Sequence, residues 1–282
     1  MPELPEVETV VRNLREPLMG RTITGVRVGW KRTVARPSID AFTQALPGLR
    51  IRAINRRAKY LVFELSRRSS KSISDYLLIH LKMSGRLNIA PRKEPIDKHD
   101  HVIFDLDDGR QLRFNDARKF GRVYLVADVE EVTGHLGPEP LDDTFTLAVF
   151  KQLVARRAGR LKPLLLDQTF IAGVGNIYAD EALWLARLHP LRRADSLTGD
   201  EVRALYRGVR KALNDGIRSN GASFDWVYPE GSYQDEFRVY GRAGKPCRRC
   251  KRPIHRIVVG QRSTHFCAHC QPNPRRTTKS KS

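Results

Sequence analysis

Four cysteines near the carboxyl end of the sequence constrain its fold more than any other feature. They form two C-x2-C pairs, Cys247 with Cys250 and Cys267 with Cys270, separated by sixteen residues. Two close pairs at this separation supply four thiolates at the corners of a tetrahedron, the geometry of structural zinc. Iron–sulfur clusters fit this ribbon-like spacing less well. We therefore predict one structural Zn2+ ion, with no open coordination position, in a hairpin at 238–271.

The segment that carries the cysteines is strongly basic. From Gly241 to Ser282 there are twelve lysines and arginines and no acidic residue, in a chain of 282 residues with a formal net charge of +20. DNA or RNA phosphates supply most of the binding free energy of a basic groove, so this charge favours a nucleic-acid partner over a merely solubilising surface. Because all four cysteines lie in the ribbon, the sequence argues against a disulfide-stapled secreted protein.

The first half of the sequence predicts a β domain preceded by a helix. Residues 3–19 place apolar side chains on one helical face, with acidic residues near the start and Pro5 in the first turn. Alternating apolar runs then predict strands at Ile23–Val28, Tyr60–Leu65, Tyr76–Leu81, Val102–Leu106 and Gln111–Phe114. The pair Asp108-Gly109 is typical of the turn that joins two antiparallel strands. We predict an antiparallel β-sandwich at 1–133.

The second half of the sequence changes to a helical pattern. A Gly- and Pro-rich linker is predicted at 134–149, then a helical domain at 150–237, the ribbon at 238–271 and a basic flexible tail at 272–282. The helices are predicted at Phe145–Arg157, Asp180–Arg187 and Thr198–Gly216. The chain is thus α+β with two domains. The apolar runs are too short to span a membrane, and the amino terminus carries acidic residues where a signal peptide carries basic ones. We therefore predict a cytoplasmic protein without membrane contact.

The amino terminus offers a nucleophile. Proline at position two is small enough for Met1 to be removed, which would leave Pro2 with a free secondary amine. Such an amine attacks C1′ of a deoxyribose and forms an iminium Schiff base, with Glu3 beside it as acid or base. Taken by themselves, these residues are better explained as the start of a helix.

The opening MPELPEVET resembles that of the formamidopyrimidine-DNA glycosylases, a bacterial family that excises 8-oxoguanine and ring-opened purines. Further blocks occur in family order along nearly the whole chain. They are Arg56–Leu61, His80–Gly85, Lys98–His101, Asn115–Gly121, Leu136–Pro140, Lys162–Gln168, Gly173–Tyr178 and the cysteine ribbon. The resemblance implies a helix–two-turn–helix around Gly173–Tyr178, with damaged double-stranded DNA bound in a cleft between the two domains by a monomer.

The resemblance also implies an activity and its residues. The chain would be a DNA glycosylase and abasic-site lyase, with Pro2 as nucleophile and Glu3 as proton donor or relay. Lys59 would assist β-elimination, and Arg262 would bind phosphate and assist δ-elimination. Glu6 would be a supporting carboxylate, although capping of the first helix explains it equally well.

DNA-binding residues follow from the same resemblance. Met83 and Phe120 would fill the space left by an extruded nucleotide, and Arg118 would pair with the orphaned base. The phosphate ligands would be His99 (or His101), Lys162, Asn176 and Arg262. Many family members carry a basic residue where this chain has Ala158, so that contact is in doubt. Aromatic residues of the loop Asn220–Gln234 would either stack on the extruded base or pack on the protein.

Two alternatives remain open from the sequence. A related endonuclease VIII-type glycosylase would prefer oxidised pyrimidines, but Leu4 and the set of Met83, Arg118 and Phe120 favour the formamidopyrimidine branch. A zinc-dependent DNA-binding protein without catalysis would need the ribbon and the charge, and would leave the Pro2-Glu3 terminus without a function.

Overall fold

The structure is a computed structural model that describes residues 1–67, 72–223 and 231–273. The chain divides into two compact units. The first comprises Met1–His135 with Asn220–Gly231, and the second comprises Leu136–Ser219 with Ser232–Ser282. The boundary between the two units therefore lies inside the predicted linker. Residues 220–231, predicted as part of the helical domain, are grouped with the first unit.

The first unit begins with helix α1 (Leu4–Leu18), close to the predicted 3–19. Its buried face carries Val7, Val11, Leu14 and Leu18, which recur at helical spacing and join the core of the unit. Pro5 is tolerated in the first turn because backbone N–H groups at that position have no carbonyl partner within the helix. The N–H that proline lacks therefore costs no hydrogen bond. The helix is thus fixed against the sheets from its second turn onward.

Two sheets form the β-sandwich, as predicted. Within the described ranges the strands of this unit are β1 (Ile23–Val28), β2 (Val34–Arg36), β3 (Leu49–Arg57), β4 (Tyr60–Arg67), β5 (Asp75–His80), β6 (Arg86–Pro91), β7 (Asp100–Leu106), β8 (Arg110–Asn115) and β9 (Arg122–Val126). One sheet has the order β1-β7-β8-β6 and the other β2-β9-β5-β4-β3. All pairs are antiparallel except β2 with β9, which is parallel and departs from the prediction. Helices α2 (Ile39–Ala45) and α3 (Glu130–Thr133) complete the unit.

Local sequence explains how the central strands meet. Asp108-Gly109 joins β7 to β8 as predicted, with Gly109 at φ +82°, a conformation that glycine adopts without steric cost. Inward-facing residues of both sheets, such as Phe63, Phe104 and Phe114, are almost fully buried in one continuous core. The sandwich therefore provides a rigid base for the loops at the strand ends.

The second unit is helical and ends in a hairpin. Its elements are α4 (Leu147–Ala155), α5 (Leu161–Leu166), α6 (Asn176–Leu185), α7 (Gly199–Arg218), α8 (Tyr233–Glu236), β10 (His255–Val259) and β11 (Arg262–Phe266). Helix α7 starts at a capping box in which Glu201 N donates to Thr198 Oγ1 and Thr198 N donates to Glu201 Oε2. None of the helices in the described ranges combines the length and apolar character that a bilayer span requires.

Helix α6 begins four residues before the predicted Asp180. Gly175 is its N-cap, and the residues of the helix itself are nearly all buried. The helix therefore has no exposed polar face that a periodic sequence pattern could reveal. Gly208 allows α7 to pack closely, since a Cβ there would lie 2.6 Å from the Ala182 carbonyl oxygen. This close packing fixes α6 against α7.

One buried histidine makes the sandwich sensitive to acid. Burial, together with the charges of Lys82 and Lys59, lowers the pKa of His80 to about 3. Between about pH 3 and pH ~6.5 the unfolded chain therefore binds one more proton at this histidine than the folded chain does. The stability that the neutral ring contributes is complete above pH ~6.5 and is lost as the pH falls towards 3.

Between pH 7 and pH 4.5, we expect the free energy of unfolding of His80→Gln to fall by about 2–3 kcal/mol less than that of the wild type. Urea denaturation at both pH values measures this difference, and equal losses would contradict the assignment.

Candidate active site and metal centre

The amino-terminal segment is held by a carboxylate of its own helix. Pro2 and Glu3 are buried, and Glu6 Oε2 accepts a hydrogen bond of 2.8 Å from Glu3 N. Glu3 is the N-cap residue of α1, so Glu6 closes the cap in the third helical position. The capping role that the sequence left open for Glu6 is therefore present, and it fixes the backbone directly after Pro2.

The second oxygen of Glu6 reaches a distant part of the same unit. Glu6 Oε1 accepts a hydrogen bond of 2.8 Å from Ala222 N, at the start of the loop 220–231. Gly221 has φ +77°, and a Cβ at this position would lie 2.9 Å from Glu6 Cγ. Only glycine combines that backbone conformation with such close contact. One buried carboxylate thus ties the Pro2-Glu3 segment to the base of the loop.

The aromatic residues of the loop have two outcomes. Phe224, Trp226 and Tyr228 lie outside the described residues. Tyr233 is fully buried and stacks on Tyr178, with ring centroids 5.3 Å apart. Tyr233 therefore packs on its own unit and is not placed to stack on a base.

Lys59 lies at the turn between β3 and β4. It follows Ala58, whose φ of +53° marks a tight turn, and its side chain is only 5% exposed. The proximity of Lys59 contributes to keeping His80 neutral, and the Tyr60 ring meets the His80 ring edge-on at 4.6 Å. The lysine proposed for elimination is thus held largely buried at the turn, close to the neutral His80 ring.

Met83, Arg118 and Phe120 lie on two loops of the first unit. The Met83 and Phe120 side chains are 45% and 47% exposed, although both are large and apolar. The guanidinium carbon of Arg118 lies 5.0 Å from the centre of the Phe120 ring. Exposure of large apolar side chains on a basic protein is consistent with the predicted insertion into a base stack.

The structure separates the two histidines that the sequence left as alternatives. His101 is buried, and its Nε2 donates to the Asp116 carbonyl oxygen at 2.9 Å. His99 is only partly buried, and its ring lies 6.3 Å from that of His101. A buried ring that is engaged within the protein is not available to phosphate, so His99 is the better candidate.

Lys162 corrects the sequence prediction. Its side chain has no exposed surface, and its Nζ lies 2.6 Å from Asp180 Oδ1 and donates to the Asn176 carbonyl oxygen at 2.8 Å. A lysine buried in this way cannot contact a phosphate without abandoning a buried partner, which carries a large energetic cost. Its observed contacts instead fix the first turn of α6. Asp180, which sequence reasoning missed, also accepts a hydrogen bond from His265 N and so anchors β11.

Asn176 and Arg262 are brought near each other within the second unit. Asn176 Nδ2 donates to the Ser263 carbonyl oxygen at 3.0 Å, directly beside Arg262, whose side chain is exposed. Arg256 is also exposed on the neighbouring strand. Around Ala158, the side chains of Arg156, Arg157 and Arg160 are exposed as well. The start of α6 and the strand β11 thus present polar and basic side chains within the second unit.

The four cysteines converge as their spacing predicts. Their sulfur atoms all lie within 4.8 Å of one another, with Cys247 and Cys267 fully buried. Burial and the neighbouring thiols raise the pKa of Cys270 to about 12. For Cys247, burial acts in the same direction, but hydrogen bonds from the backbone N–H groups of Cys250 and Arg249 help to outweigh it and lower the pKa to about 6. Such a cluster holds four thiolates only around a cation, and its donor set suits zinc.

Comparisons with known proteins cover most of both units. Residues 1–123 match the family model of the formamidopyrimidine-DNA glycosylase N-terminal domain, residues 136–226 the H2TH domain of the same proteins, and residues 244–273 the zinc finger found in FPG and IleRS. The chain is 47% identical over 278 residues to the formamidopyrimidine-DNA glycosylase of Herpetosiphon aurantiacus, covering 96% of this chain and 100% of the relative.

Solved structures agree with the sequence matches. Lactococcus lactis Fpg in complex with abasic-site DNA superposes with a TM-score of 0.88 at 35% identity. MutM in complex with DNA that contains carbocyclic 8-oxo-G superposes with a TM-score of 0.88 at 36% identity. Each match covers 96% of this chain and 100% of the solved chain.

Proposed function

This chain belongs to the formamidopyrimidine-DNA glycosylase family, and on that basis we propose that it excises oxidised purines from duplex DNA and then cleaves the strand at the abasic site. The family resemblance expected from the sequence is confirmed, and with it the assignment as a DNA glycosylase.

One observation carries the assignment of the reacting group. Glu6 binds Glu3 N and Ala222 N through its two oxygens, so the segment that carries Pro2 is immobilised beside the base of the 220–231 loop. A protein that only binds DNA has no need to bury and fix its amino terminus in this way. The arrangement supports a nucleophile at residue 2 once Met1 is removed, because a preorganised amine loses little entropy on attack.

The glycosylase step begins with the lone pair of the Pro2 nitrogen. It forms a bond to C1′ as the bond from C1′ to the base breaks, and the electron pair leaves with the base, which takes up a proton. The amine then loses its own proton, the C1′–O4′ bond breaks and O4′ is protonated, which leaves an iminium between Pro2 and C1′. Glu3 is the proposed donor and relay of these protons.

Strand cleavage follows from the electron demand of the iminium. The iminium acidifies the C2′ protons, so loss of one of them expels the 3′ phosphate, and loss of the C4′ proton then expels the 5′ phosphate. Lys59 is proposed to assist the first elimination and Arg262 the second. Water finally hydrolyses the iminium and restores the Pro2 amine. No redox cofactor takes part in this sequence of steps.

The binding groups are proposed from the family resemblance, and the three that would occupy the base stack also from their exposure. His99, Asn176 and Arg262 are the phosphate ligands, and Met83, Arg118 and Phe120 occupy the space of the extruded nucleotide. Cys247, Cys250, Cys267 and Cys270 would hold one Zn2+ ion. Bound zinc would be saturated by four thiolates and would stabilise the ribbon without supplying a reactive ligand position.

Substrate preference distinguishes the proposal from its closest alternative. We expect single-turnover excision of 8-oxoguanine opposite cytosine to exceed excision of thymine glycol by at least about tenfold, which corresponds to little more than one kcal/mol of transition-state stabilisation. Gel separation of the cleaved strands measures both rates on duplexes of otherwise identical sequence. Excision of thymine glycol alone would assign the chain to the endonuclease VIII type, and binding without any excision would identify a DNA-binding protein without catalysis.

A further inference from the structure

The two exposed loops that carry Met83 and Phe120 meet at one buried carboxylate, that of Asp116. The first loop runs from His80 at the end of β5 to Arg86 at the start of β6. The second runs from Asn115 at the end of β8 to Arg122 at the start of β9. Asp116 is 1% exposed, although it lies in the second of these two surface loops.

Both oxygens of the Asp116 carboxylate are occupied, and they join the two loops. Oδ1 accepts hydrogen bonds from Ser84 Oγ at 2.5 Å and from Arg118 N at 3.2 Å. Oδ2 accepts one from Gly121 N at 2.7 Å. Ser84 directly follows Met83, and Arg118 and Gly121 bracket Phe120. The carboxylate therefore sets the spacing between the two apolar side chains.

The backbone of Asp116 is fixed as well, so the carboxylate cannot easily move. Asp116 N donates to the His99 carbonyl oxygen at 2.9 Å. The Asp116 carbonyl oxygen accepts from His101 Nε2 at 2.9 Å and from Lys119 N at 3.1 Å. These contacts tie the residue to β7 and to its own turn, and they place it beside the candidate phosphate ligand His99.

Both loops contain strained backbone conformations that the hydrogen bonds of Asp116 help to maintain. Lys82 and Lys119, directly before Met83 and Phe120, have φ of +55° and +60°, a region that L-residues rarely adopt. Lys82 is stabilised by donation from its N–H to His80 Nδ1 at 3.0 Å, and Lys119 by the Trp30 ring, whose centre lies 4.3 Å from the ammonium. Such conformations persist only where the surrounding contacts over-determine them.

Two glycines complete the frame. A Cβ at Gly85 would lie 2.9 Å from the Phe114 ring, and one at Gly121 would lie 2.3 Å from it. Both loops thus rest directly on a buried ring of the sandwich core, with the Asp116 carboxylate between them. The apolar side chains project from this frame into solvent.

We propose that Asp116 is a positioning residue for base extrusion, which presets Met83, Arg118 and Phe120 in the arrangement that fills the vacated space in the base stack. The inference rests on the proposed function, because it assigns these three side chains to the DNA stack. Asp116 itself touches no substrate. It acts by holding both loops in one register, so that insertion requires no ordering of the loops at the moment of extrusion.

Three variants test this proposal. Asp116→Asn keeps the shape of the side chain but presents an N–H2 group where Ser84 or Gly121 needs an acceptor. Ser84→Ala removes the hydrogen bonds that Ser84 Oγ forms with the second loop, one to Asp116 Oδ1 and a longer one from Arg118 N at 3.3 Å. Asp105→Asn is the matched control, since Asp105 accepts from Gln111 on the same sheet and lies on neither loop. Thermal unfolding of each variant reports whether the sandwich is intact.

Two activities and one spectroscopic signal give the readouts. Excision of 8-oxoguanine requires extrusion of a stacked base, whereas borohydride trapping on abasic DNA does not, because the base is already absent. We expect Asp116→Asn to lower the excision rate by about tenfold or more and trapping by less than about threefold. The emission of 2-aminopurine opposite the lesion, which reports how the orphaned base is stacked, is expected to change in Asp116→Asn and Ser84→Ala but not in Asp105→Asn.

The outcomes separate this inference from the function on which it rests. If the wild type neither excises nor is trapped, the proposed function fails. If the wild type does both and Asp116→Asn behaves like Asp105→Asn in all three readouts, the positioning role is wrong. Should Asp116→Asn unfold, Ser84→Ala decides: a selective loss of excision supports the proposal, and equal loss of excision and trapping contradicts it.

Discussion

Replacing Pro2 with glycine is expected to lower the rates of base excision and borohydride trapping by about 100-fold, a loss within the range for an impaired covalent step. Glycine leaves a primary amine without the ring that fixes the direction of the proline lone pair and makes the nitrogen a secondary amine. DNA affinity at constant salt is expected to stay within about twofold, because phosphate contacts by lysine and arginine determine it. Single-turnover kinetics and a salt titration of binding measure the two effects separately.

The control for this variant is Pro47→Gly, which makes the same change between α2 and β3, away from the amino terminus. Intact-mass measurement establishes that Met1 is absent from each protein. Unchanged excision in Pro2→Gly would place the nucleophile elsewhere. Parallel loss of excision and DNA binding would show that the amino-terminal segment supports the fold and that its chemistry was misassigned.

Removal of the metal has the second large expected effect. Structural zinc contributes roughly 10–16 kcal/mol of binding free energy in zinc-finger peptides, and that energy is folding energy for the segment it closes. We expect Cys267→Ser, or treatment with a strong chelator, to unfold the ribbon and to weaken DNA binding by about tenfold or more as ordered phosphate contacts are lost. The sandwich has its own core and is expected to keep its unfolding transition.

Elemental analysis, hydrogen exchange of β10 and β11, and DNA titration measure these consequences. One zinc per chain in the wild type, and recovery of binding when zinc is restored to the chelated protein, are the expected results. Val258→Ala is the matched control, because this ribbon residue is 69% exposed and contributes no ligand. A protein that stays folded and binds DNA equally well without metal would show that the four thiols do not need it.

Features that depend on local sequence were predictable. The face of α1, the turn at Asp108-Gly109 and the cysteine pairs each follow from residues within a few positions of one another, and the structure has all three. The capping box that starts α7 belongs to the same class, because its partners are three residues apart. Short-range geometry of this kind is set by backbone sterics and hydrogen bonding alone.

Features that depend on distant partners could not be predicted from the sequence. The sequence predicts Lys162 as a phosphate ligand. Only its burial against Asp180 shows that it holds the start of α6 instead. The bond from Ala222 to Glu6 spans 216 residues, and no spacing or periodicity encodes it. Asp116 lies in a recognisable sequence block, but its partner Ser84 is 32 residues away in another loop. Charge and residue type indicate what a side chain can do, whereas burial decides what it does.

The mechanism requires that the amino-terminal proline forms a covalent bond with the sugar. Borohydride reduction in the presence of abasic duplex DNA, followed by peptide mapping, tests it most directly, because reduction converts the iminium into a stable amine at the atom that attacked. We expect a DNA adduct on the nitrogen of Pro2 and on no other residue. An adduct on a lysine, or no adduct from protein shown to lack Met1, would contradict it.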